Sequence, residues 1–250
     1  MRTYSGAVTG PEQRERAERF RAWHHEPGLL VLPNAWDVAS ARAFAALPGC
    51  RAIATTSGGV ARSLGFEDGA APGEEMLRVA ARIAAAVDVP LSVDLERGYE
   101  DPPAYARAAW EAGLVGANIE DSFGGQSPVS IDEQAQLLRA VRAAAPELVL
   151  NARIDAFLRR SAGVEETIAR AGAYLDAGAD CVFPITVADP ADIGTIVHAV
   201  DGPVAVMSVP GLPPLDELER LGVARFTWGS GLAELALGAA ADAAAAALRR

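Results

Sequence analysis

The chain has 250 residues, 22 of them basic and 33 acidic, which gives a formal net charge of −11 at neutral pH. This acidic balance argues against nucleic acids and anionic membrane surfaces as partners, because both attract clustered positive charge. Every basic residue is an arginine. The complete absence of lysine excludes Schiff-base aldolases, enzymes with lysine-anchored pyridoxal phosphate, and P-loop nucleotidases.

Three further features concern the compartment in which the protein works. Residues 1–21 are polar and charged and contain no apolar leader, so we do not expect export. No apolar run approaches the roughly 18 residues of a membrane span. The two cysteines, Cys50 and Cys181, provide no disulfide framework. These features together predict a cytoplasmic protein.

Beyond residue 28, short runs rich in β-branched residues alternate with alanine-rich stretches. The alternation shows no linker and no internal repeat, and it predicts a single (β/α)8 barrel over residues 1–250, with residues 1–27 as an N-terminal helical arm. The arm is expected to cover the bottom of the barrel or a neighbouring subunit. An open doubly wound sheet is the alternative, but no Gly-x-Gly-x-x-Gly follows the first strand. The predicted strands are 29–32, 52–56, 91–95, 116–120, 148–154, 181–185, 203–208 and 225–228, and the predicted helices are 38–47, 74–87, 103–112, 131–144, 164–177, 191–200, 215–221 and 232 to the C-terminus.

Acidic residues concentrate at the ends of the third and fourth predicted strands, where a barrel places its catalytic groups. Asp94 and Glu96 are two residues apart and share one face of the third strand. Glu120 ends the neighbouring strand, with Asn118 two residues before it. Three converging carboxylates without histidine or cysteine favour Mg²⁺ or Mn²⁺ over zinc. The alternative is that the two glutamates form ordinary ion pairs with nearby arginines.

Arginines and small polar residues surround this acidic group. Arg153, on the fifth predicted strand, is suited to clamp a substrate carboxylate with two parallel hydrogen bonds. Alternatively, Arg153 and Arg97 only balance the acids. The run Thr-Ser-Gly-Gly at 56–59 offers hydroxyl groups and exposed amides that could hold an oxyanion, or it could be a simple turn into the second helix.

Several motifs resemble the isocitrate lyase/phosphoenolpyruvate mutase superfamily. They are Leu-Pro-Asn-Ala-Trp-Asp at 32–37, Ala-Thr-Thr-Ser-Gly-Gly-Val at 54–60, Ser-Leu-Gly at 63–65, Val-Asp-Leu-Glu-Arg-Gly-Tyr at 93–99, Asn-Ile-Glu-Asp-Ser at 118–122 and Asn-Ala-Arg-Ile-Asp-Ala at 151–156. The resemblance covers residues 29–231. It implies a Mg²⁺-dependent barrel that acts on 2-oxo or 2-hydroxy carboxylates and makes or breaks a C–C or P–C bond beside an enolate-like centre.

The resemblance also implies roles for particular residues. Asp94 corresponds to the direct metal ligand, while Glu96, Glu120 and Asp68 correspond to the groups that hold metal-bound water. A swapped eighth helix is implied as well, and with it a homodimer or homotetramer. The predicted site residues are Arg153, Ser57 and Asp68 as catalytic, Thr56, Ser57, Gly58, Asn118 and Arg153 as substrate-binding, and Asp94, Glu96 and Glu120 as metal-binding.

The chain also departs from the superfamily at two places. The C–C lyase branch carries a Lys-Lys-Cys-Gly-His loop that supplies a cysteine acid, and nothing like it occurs here; residues 123–130 read Phe-Gly-Gly-Gln-Ser-Pro-Val-Ser. The mutase branch has a lysine and an asparagine in its gating loop and a histidine after the sixth strand, where this chain has Phe-Pro-Ile-Thr at 183–186. Fold and metal site are therefore expected to carry over better than any named activity.

The function expected from these observations is a Mg²⁺- or Mn²⁺-dependent lyase. Its substrate would be a small 2-oxo or 2-hydroxy di- or tricarboxylate, cleaved at a C–C bond through an enolate-like intermediate, as in an oxaloacetate decarboxylase or a methylisocitrate lyase. One alternative is P–C bond chemistry of the phosphoenolpyruvate mutase or phosphonopyruvate hydrolase type. Another is a noncatalytic barrel that binds a metabolite.

Overall fold

The computed structural model describes residues 10–123, 126–158 and 163–249. Residues 1–9 of the predicted arm and residues 124–125 of the loop after the fourth predicted strand lie outside these ranges.

Parallel strands follow one another in chain order around the core, as in a (β/α)8 barrel. The first strand has two parts separated by Pro33, which has no N–H to donate: one part lies within the predicted strand 29–32, and the other, at 34–35, was not predicted. The first part pairs with the last strand, and the second part pairs with the next strand along the chain. A single bridge between Val182 and Val204 links the seventh and eighth strands. The strands are β1 Leu30–Leu32, β2 Asn34–Ala35, β3 Ile53–Thr55, β4 Leu91–Asp94, β5 Gly116–Glu120, β6 Val149–Ile154, β7 Cys181–Pro184, β8 Ala205–Met207 and β9 Arg225–Thr227.

Helices cover the outside of the strands and bury a core of small and branched side chains between the two layers. The main difference from the sequence prediction is a short helix, α3, at the glycine-rich run that follows β3. The helices are α1 Pro11–Trp23, α2 Val38–Ala45, α3 Ser57–Leu64, α4 Gly73–Ala84, α5 Pro102–Glu111, α6 Ile131–Ala144, α7 Val164–Asp176, α8 Pro190–Ala199, α9 Leu215–Arg220 and α10 Gly231–Leu248.

The arm helix α1 lies across the N-terminal end of the barrel. Its residue Phe20 is completely buried and packs in a cluster with Leu30 and Val149, which belong to β1 and β6. Gln13 fastens the other end of α1, because its Nε2 donates to the carbonyl oxygens of Trp110 at 2.7 Å and Leu114 at 3.2 Å. In the part of the chain that the structure describes, α1 therefore covers the bottom of the barrel.

The C-terminal helix α10 is almost entirely exposed in the single chain; Ala233 is its buried residue. Among the described residues it is the one helix that is long and apolar enough to cross a membrane, with a mean hydropathy of 1.4 over 18 residues. The prediction that no apolar run approaches this length is wrong by this measure. Alanine scores as mildly apolar, and the two acids of the helix, Glu234 and Asp242, do not outweigh it.

Candidate active site

A cavity of about 500 Å³ opens at the C-terminal ends of the strands. All the predicted site residues except Gly58 line it. Gly58 lies in the first turn of α3, where an added Cβ would come within 2.8 Å of Ser230 Oγ and 3.0 Å of the Asp68 carboxyl group. A glycine is therefore needed for Asp68 to lie against α3. The predicted residues that line the cavity are Thr56, Ser57, Asp68, Asp94, Glu96, Asn118, Glu120 and Arg153.

Asp94 connects the end of β4 to the beginning of α3. Its backbone N–H donates to Thr55 Oγ1 at 2.9 Å, which fixes the chain at this point. Its Oδ2 accepts from the backbone N–H of Ser57 at 3.2 Å. The carboxylate of Asp94 therefore lies at the N-terminus of α3, where backbone N–H groups are free to donate to an anionic partner. The same contact means that the Ser57 amide is engaged by Asp94.

Glu96 occupies an unusual backbone conformation, with φ at 53° in the left-handed region. Its Oε1 is buried and has no hydrogen-bond partner. Burial, together with repulsion from Asp94 and Asp68, raises the pKa of Glu96 to about 7. Arg97 does not pair with Glu96, because its guanidinium contacts Glu133 at 2.7 Å instead. The alternative in which Glu96 forms an ion pair with Arg97 is therefore not supported.

Arg153 contacts two buried carboxylates. Its Nη1 lies 2.7 Å from Glu120 Oε2, and its Nε lies 2.7 Å from Asp155 Oδ1. Burial raises the pKa of Glu120 to about 9; Arg153 lowers this pKa, but repulsion from Asp155 opposes that effect. Arg153 thus makes the contacts expected of a counter-ion for the acids. It also lines the cavity, where a substrate clamp would have to lie.

A second layer of polar side chains holds Asp155 in place. The backbone N–H of Asp155 donates to Asp121 Oδ1 at 2.9 Å, and the hydroxyl of Ser122 donates to the Asp155 carboxylate. Asp121 Oδ2 accepts from Tyr174 at 2.8 Å and from Arg170 at 3.2 Å. The sequence prediction did not include this layer, although Asp121, Ser122 and Asp155 belong to the motifs quoted above.

Asn34 was also missed as a site residue. It follows Pro33, lines the cavity and joins three strands. Its Oδ1 accepts from the Thr227 hydroxyl and, at 2.8 Å, from the backbone N–H of Trp228, while its Nδ2 donates to the carbonyl oxygen of Thr55 at 3.0 Å. These bonds link β2 to β3 and β9 at the point where the main-chain pairing is interrupted. The signal available in the sequence was a polar residue directly after a strand-breaking proline.

The acids fit a hard divalent cation. Cavity-lining carboxylates and amide oxygens are the donors that Mg²⁺ and Mn²⁺ prefer. Glu96 Oε1 is buried without a hydrogen-bond partner, and the raised pKa values of Glu96 and Glu120 mean that burial and neighbouring carboxylates disfavour their charged forms, which a bound cation would favour. Within the described residues, no three His, Cys, Asp or Glu side chains form a metal centre by themselves. This arrangement fits an ion with few direct protein ligands, the remaining acids acting through water.

The rest of the cavity wall is less polar. Phe183 lies in β7, Ile185 follows it, and Met207 ends β8, so these strand ends present apolar side chains to the cavity. No cysteine or histidine of the described chain lines the cavity. Cys181 is completely buried, and burial raises the pKa of its thiol to about 12. The described wall therefore holds carboxylates, hydroxyls, amides and guanidinium groups.

The chain is similar to proteins of related chemistry. A family model for phosphoenolpyruvate phosphomutase matches residues 20–248. An uncharacterized protein of Mycobacterium tuberculosis (strain ATCC 25618 / H37Rv) is 41% identical over 231 residues, covering 91% of this chain and 88% of that protein. The 2-methylisocitrate lyase of Halalkalibacterium halodurans is 32% identical over 216 residues, covering 81% and 71%. The structure of oxaloacetate acetylhydrolase with its product oxalate superimposes with a TM-score of 0.84 at 27% identity, covering 92% and 85%.

Proposed function

Because the chain belongs to the phosphoenolpyruvate phosphomutase family, within the isocitrate lyase/phosphoenolpyruvate mutase superfamily, we propose that it is a divalent-metal-dependent lyase. It would cleave a C–C bond in a small 2-oxo or 2-hydroxy di- or tricarboxylate through an enolate-like intermediate. The observation that carries this proposal is the meeting of Asp94, Glu96, Glu120 and Arg153 in one cavity at the C-terminal end of the barrel. Such a site binds a cation and an anionic substrate together.

The acids of the site would hold the cation. Asp94 would be the direct ligand, with Glu96, Glu120 and Asp68 holding water around the ion. A bound Mg²⁺ or Mn²⁺ would supply positive charge where an enolate oxygen becomes negative, which is where a fixed charge lowers the barrier most.

Arg153 would orient the substrate carboxylate. Each of its Nη atoms carries two N–H groups and contacts one carboxylate oxygen, Nη1 on Glu120 at 2.7 Å and Nη2 on Asp155 at 3.2 Å. Asp155 therefore fixes the plane of the guanidinium, while further N–H groups are available for a ligand. Thr56 and Ser57, at the start of α3, would contact other substrate oxygens.

Proton transfer limits which reactions suit this site. A cleavage that leaves an enolate needs a proton donor, and the described wall offers no thiol or imidazole. Two kinds of reaction depend least on a proton donor from the protein. They are decarboxylation of a β-oxo acid, and retro-aldol or retro-Claisen cleavage with water as the acid. P–C chemistry of the mutase type is less favoured, because the chain has no lysine and carries Phe183-Pro184-Ile185, without a histidine, at the end of β7.

The proposal is tested by offering the protein oxaloacetate, 2-methylisocitrate and phosphonopyruvate with Mg²⁺ and measuring pyruvate and oxalate. We expect Mg²⁺-dependent product from oxaloacetate or 2-methylisocitrate, abolished by EDTA and by Asp94→Asn. An enzyme-free reaction corrects for spontaneous decarboxylation, and Asp88→Asn, which removes an exposed acid outside the cavity, is the matched control. Pyruvate from phosphonopyruvate alone would assign P–C chemistry instead. Carboxylate binding without turnover of any substrate would indicate a metabolite-binding barrel.

A further inference from the structure

Arg225 is a charged side chain in the interior of the barrel, below the cavity. It opens β9, is only 1% exposed, and has the apolar residues Leu30 and Ala205 as its neighbours on the adjacent strands. Among the described residues, no carboxylate lies within ion-pair distance of its guanidinium. Burial lowers the pKa of Arg225 to about 10, which still leaves it charged at neutral pH. A buried charge without a counter-ion is costly, so its presence calls for a functional explanation.

Within the described residues, the one side-chain hydrogen bond of Arg225 leads to the site. Its Nη2 donates to Asn118 Oδ1 at 3.4 Å, and Asn151 Nδ2 donates to the same oxygen at 2.9 Å. Arginine has no acceptor, so only the oxygen of the Asn118 amide can face it. With the oxygen turned to these two donors, the amide nitrogen of Asn118 points the other way, towards the cavity that Asn118 lines.

We propose that Arg225 is a positioning residue, which holds Asn118 so that its amide nitrogen donates a hydrogen bond to an oxygen of the bound carboxylate substrate. Asn118 is then a substrate donor and not a metal ligand. The inference rests on the proposed function for the identity of the acceptor, but the orientation of Asn118 does not depend on it. The sequence showed no sign of this role, because Arg225 and Asn118 are 107 residues apart.

Two further observations agree with this role. The Nε and Nη1 groups of Arg225 have no hydrogen-bond partner within the described residues, and the charge of Asp94 acts on Arg225 only from beyond ion-pair distance. Asn118 is the Cα partner of Asp94 on the neighbouring strand. A shift of the Asn118 amide would therefore change the surroundings of the proposed metal ligand. A cation donating to the Asn118 oxygen also polarises the amide and makes its N–H a stronger donor.

The test uses oxalate as the probe, titrated calorimetrically in saturating Mg²⁺, together with Tm. Arg225→Met removes the charge, and we expect oxalate affinity to fall roughly tenfold, as for loss of one well-placed hydrogen bond. Tm should stay equal or rise, because an apolar side chain replaces an unpaired buried charge. Arg225→Lys keeps a charged donor and should retain most of the affinity. Cys181→Ala, which loosens the same interior without touching Asn118, is the control and should bind oxalate normally.

A double-mutant cycle separates positioning from independent effects. If Arg225 acts through Asn118, then Asn118→Leu alone and the Arg225→Met/Asn118→Leu pair should show the same loss of oxalate affinity. Additive losses would overturn the proposal. So would a Tm several degrees lower in Arg225→Met with unchanged oxalate affinity, since that pattern describes a merely structural arginine.

A second measurement covers the case in which the wild-type protein does not bind oxalate. That result would count against the proposed function, and the side-chain amide signals of Asn118 in a ¹H–¹⁵N spectrum would then decide the inference. They are assigned by their loss in Asn118→Leu. The signals should move in Arg225→Met and stay in place in Cys181→Ala. Signals unmoved in Arg225→Met would show that Arg225 does not position Asn118.

Discussion

Arg153 has the contacts of one of the two roles that the sequence stated as alternatives, and the other role stays a proposal. Its spacing from the acids suggested either a substrate clamp or a counter-ion. The structure supplies the counter-ion contacts, at 2.7 Å to both Glu120 and Asp155, because neighbouring strands in register bring Glu120 beside Arg153. Asp155 is completely buried, so removing the guanidinium of Arg153 would leave a buried acid without its ion-pair partner.

We expect Arg153→Lys to weaken oxalate binding and also to lower Tm. An ammonium cannot reproduce the planar two-bond contact, and losing one charge-assisted clamp costs about 1.5–3 kcal/mol, or roughly ten- to a hundredfold in affinity. Tm falls because lysine reaches one of the two carboxylates and leaves the other buried without a partner. Calorimetry and thermal unfolding on the same variant test both statements. Lower Tm with intact oxalate affinity would rule out the clamp.

At the scale of elements, the residue that directly follows α1 is a histidine that makes stability depend on pH. His24 is buried, with its Nδ1 at 2.8 Å from the Phe20 carbonyl oxygen and its Nε2 without a partner. Burial first, and then the charge of Arg225, lowers the pKa of His24 to about 4. The unfolded chain therefore takes up this proton at higher pH than the folded protein does.

The sign of the effect follows from this difference in pKa. The contribution of His24 to stability is fully present above its ordinary pKa of 6.5 and is lost as the pH falls towards 4. The loss is roughly 3 kcal/mol over that interval. Urea unfolding at pH 7 and pH 4.5 should show a smaller fall in the free energy of unfolding for His24→Phe than for the wild type. His198→Gln, at an exposed histidine, is the control. Equal falls in wild type and His24→Phe would contradict the prediction.

The helix α3 shows where local sequence is a poor guide. Two adjacent glycines lower helix propensity, so the run at 56–59 was read as a cradle or a turn. Packing explains them: a Cβ on Gly59 would come within 2.6 Å of Thr56 Cγ2 and 3.0 Å of Trp36 Cβ. The hydroxyl of Thr56 accepts from the Gly59 N–H at 3.4 Å and caps the helix. Tertiary contacts, which the local sequence does not reveal, therefore determine that this segment is a helix.

For the whole molecule, the strict alternation of strands and helices was enough to predict the barrel and the end at which its site lies. The same reasoning predicted that the acids at the ends of β4 and β5 lie close together, since the ends of neighbouring parallel strands meet at one end of the barrel. Contacts across the barrel could not be predicted from this alternation. The pairs formed by Arg225 with Asn118 and by Asn34 with Thr227 are 107 and 193 residues apart, and no local pattern relates them.

The exposed apolar side chains of α10 bear on the oligomeric state of the protein. Leu235 and Leu237 are 69% and 60% exposed in the single chain, on a helix that contributes one buried residue to its own barrel. Removing such surface from water is favourable, so the helix needs a partner. We propose a second copy of this chain, as the resemblance implied, in a homodimer or homotetramer. Glu234 lies near the start of α10 and pairs with Arg62 at 3.1 Å, which keeps this end of the helix beside the cavity mouth.

Light scattering coupled to size exclusion, in buffer without detergent, tests this assembly. The wild type should elute as a dimer or tetramer, and the Leu235→Glu/Leu237→Glu variant as a monomer, because two buried charges would face the partner. Leu47→Glu changes another exposed leucine, 54% exposed at the end of α2, and should leave the assembly intact. A monomeric wild type would overturn the proposal. If that monomer also floated with lipid vesicles, the length and hydropathy of α10 would have marked a membrane contact, since an 18-residue helix extends about 27 Å.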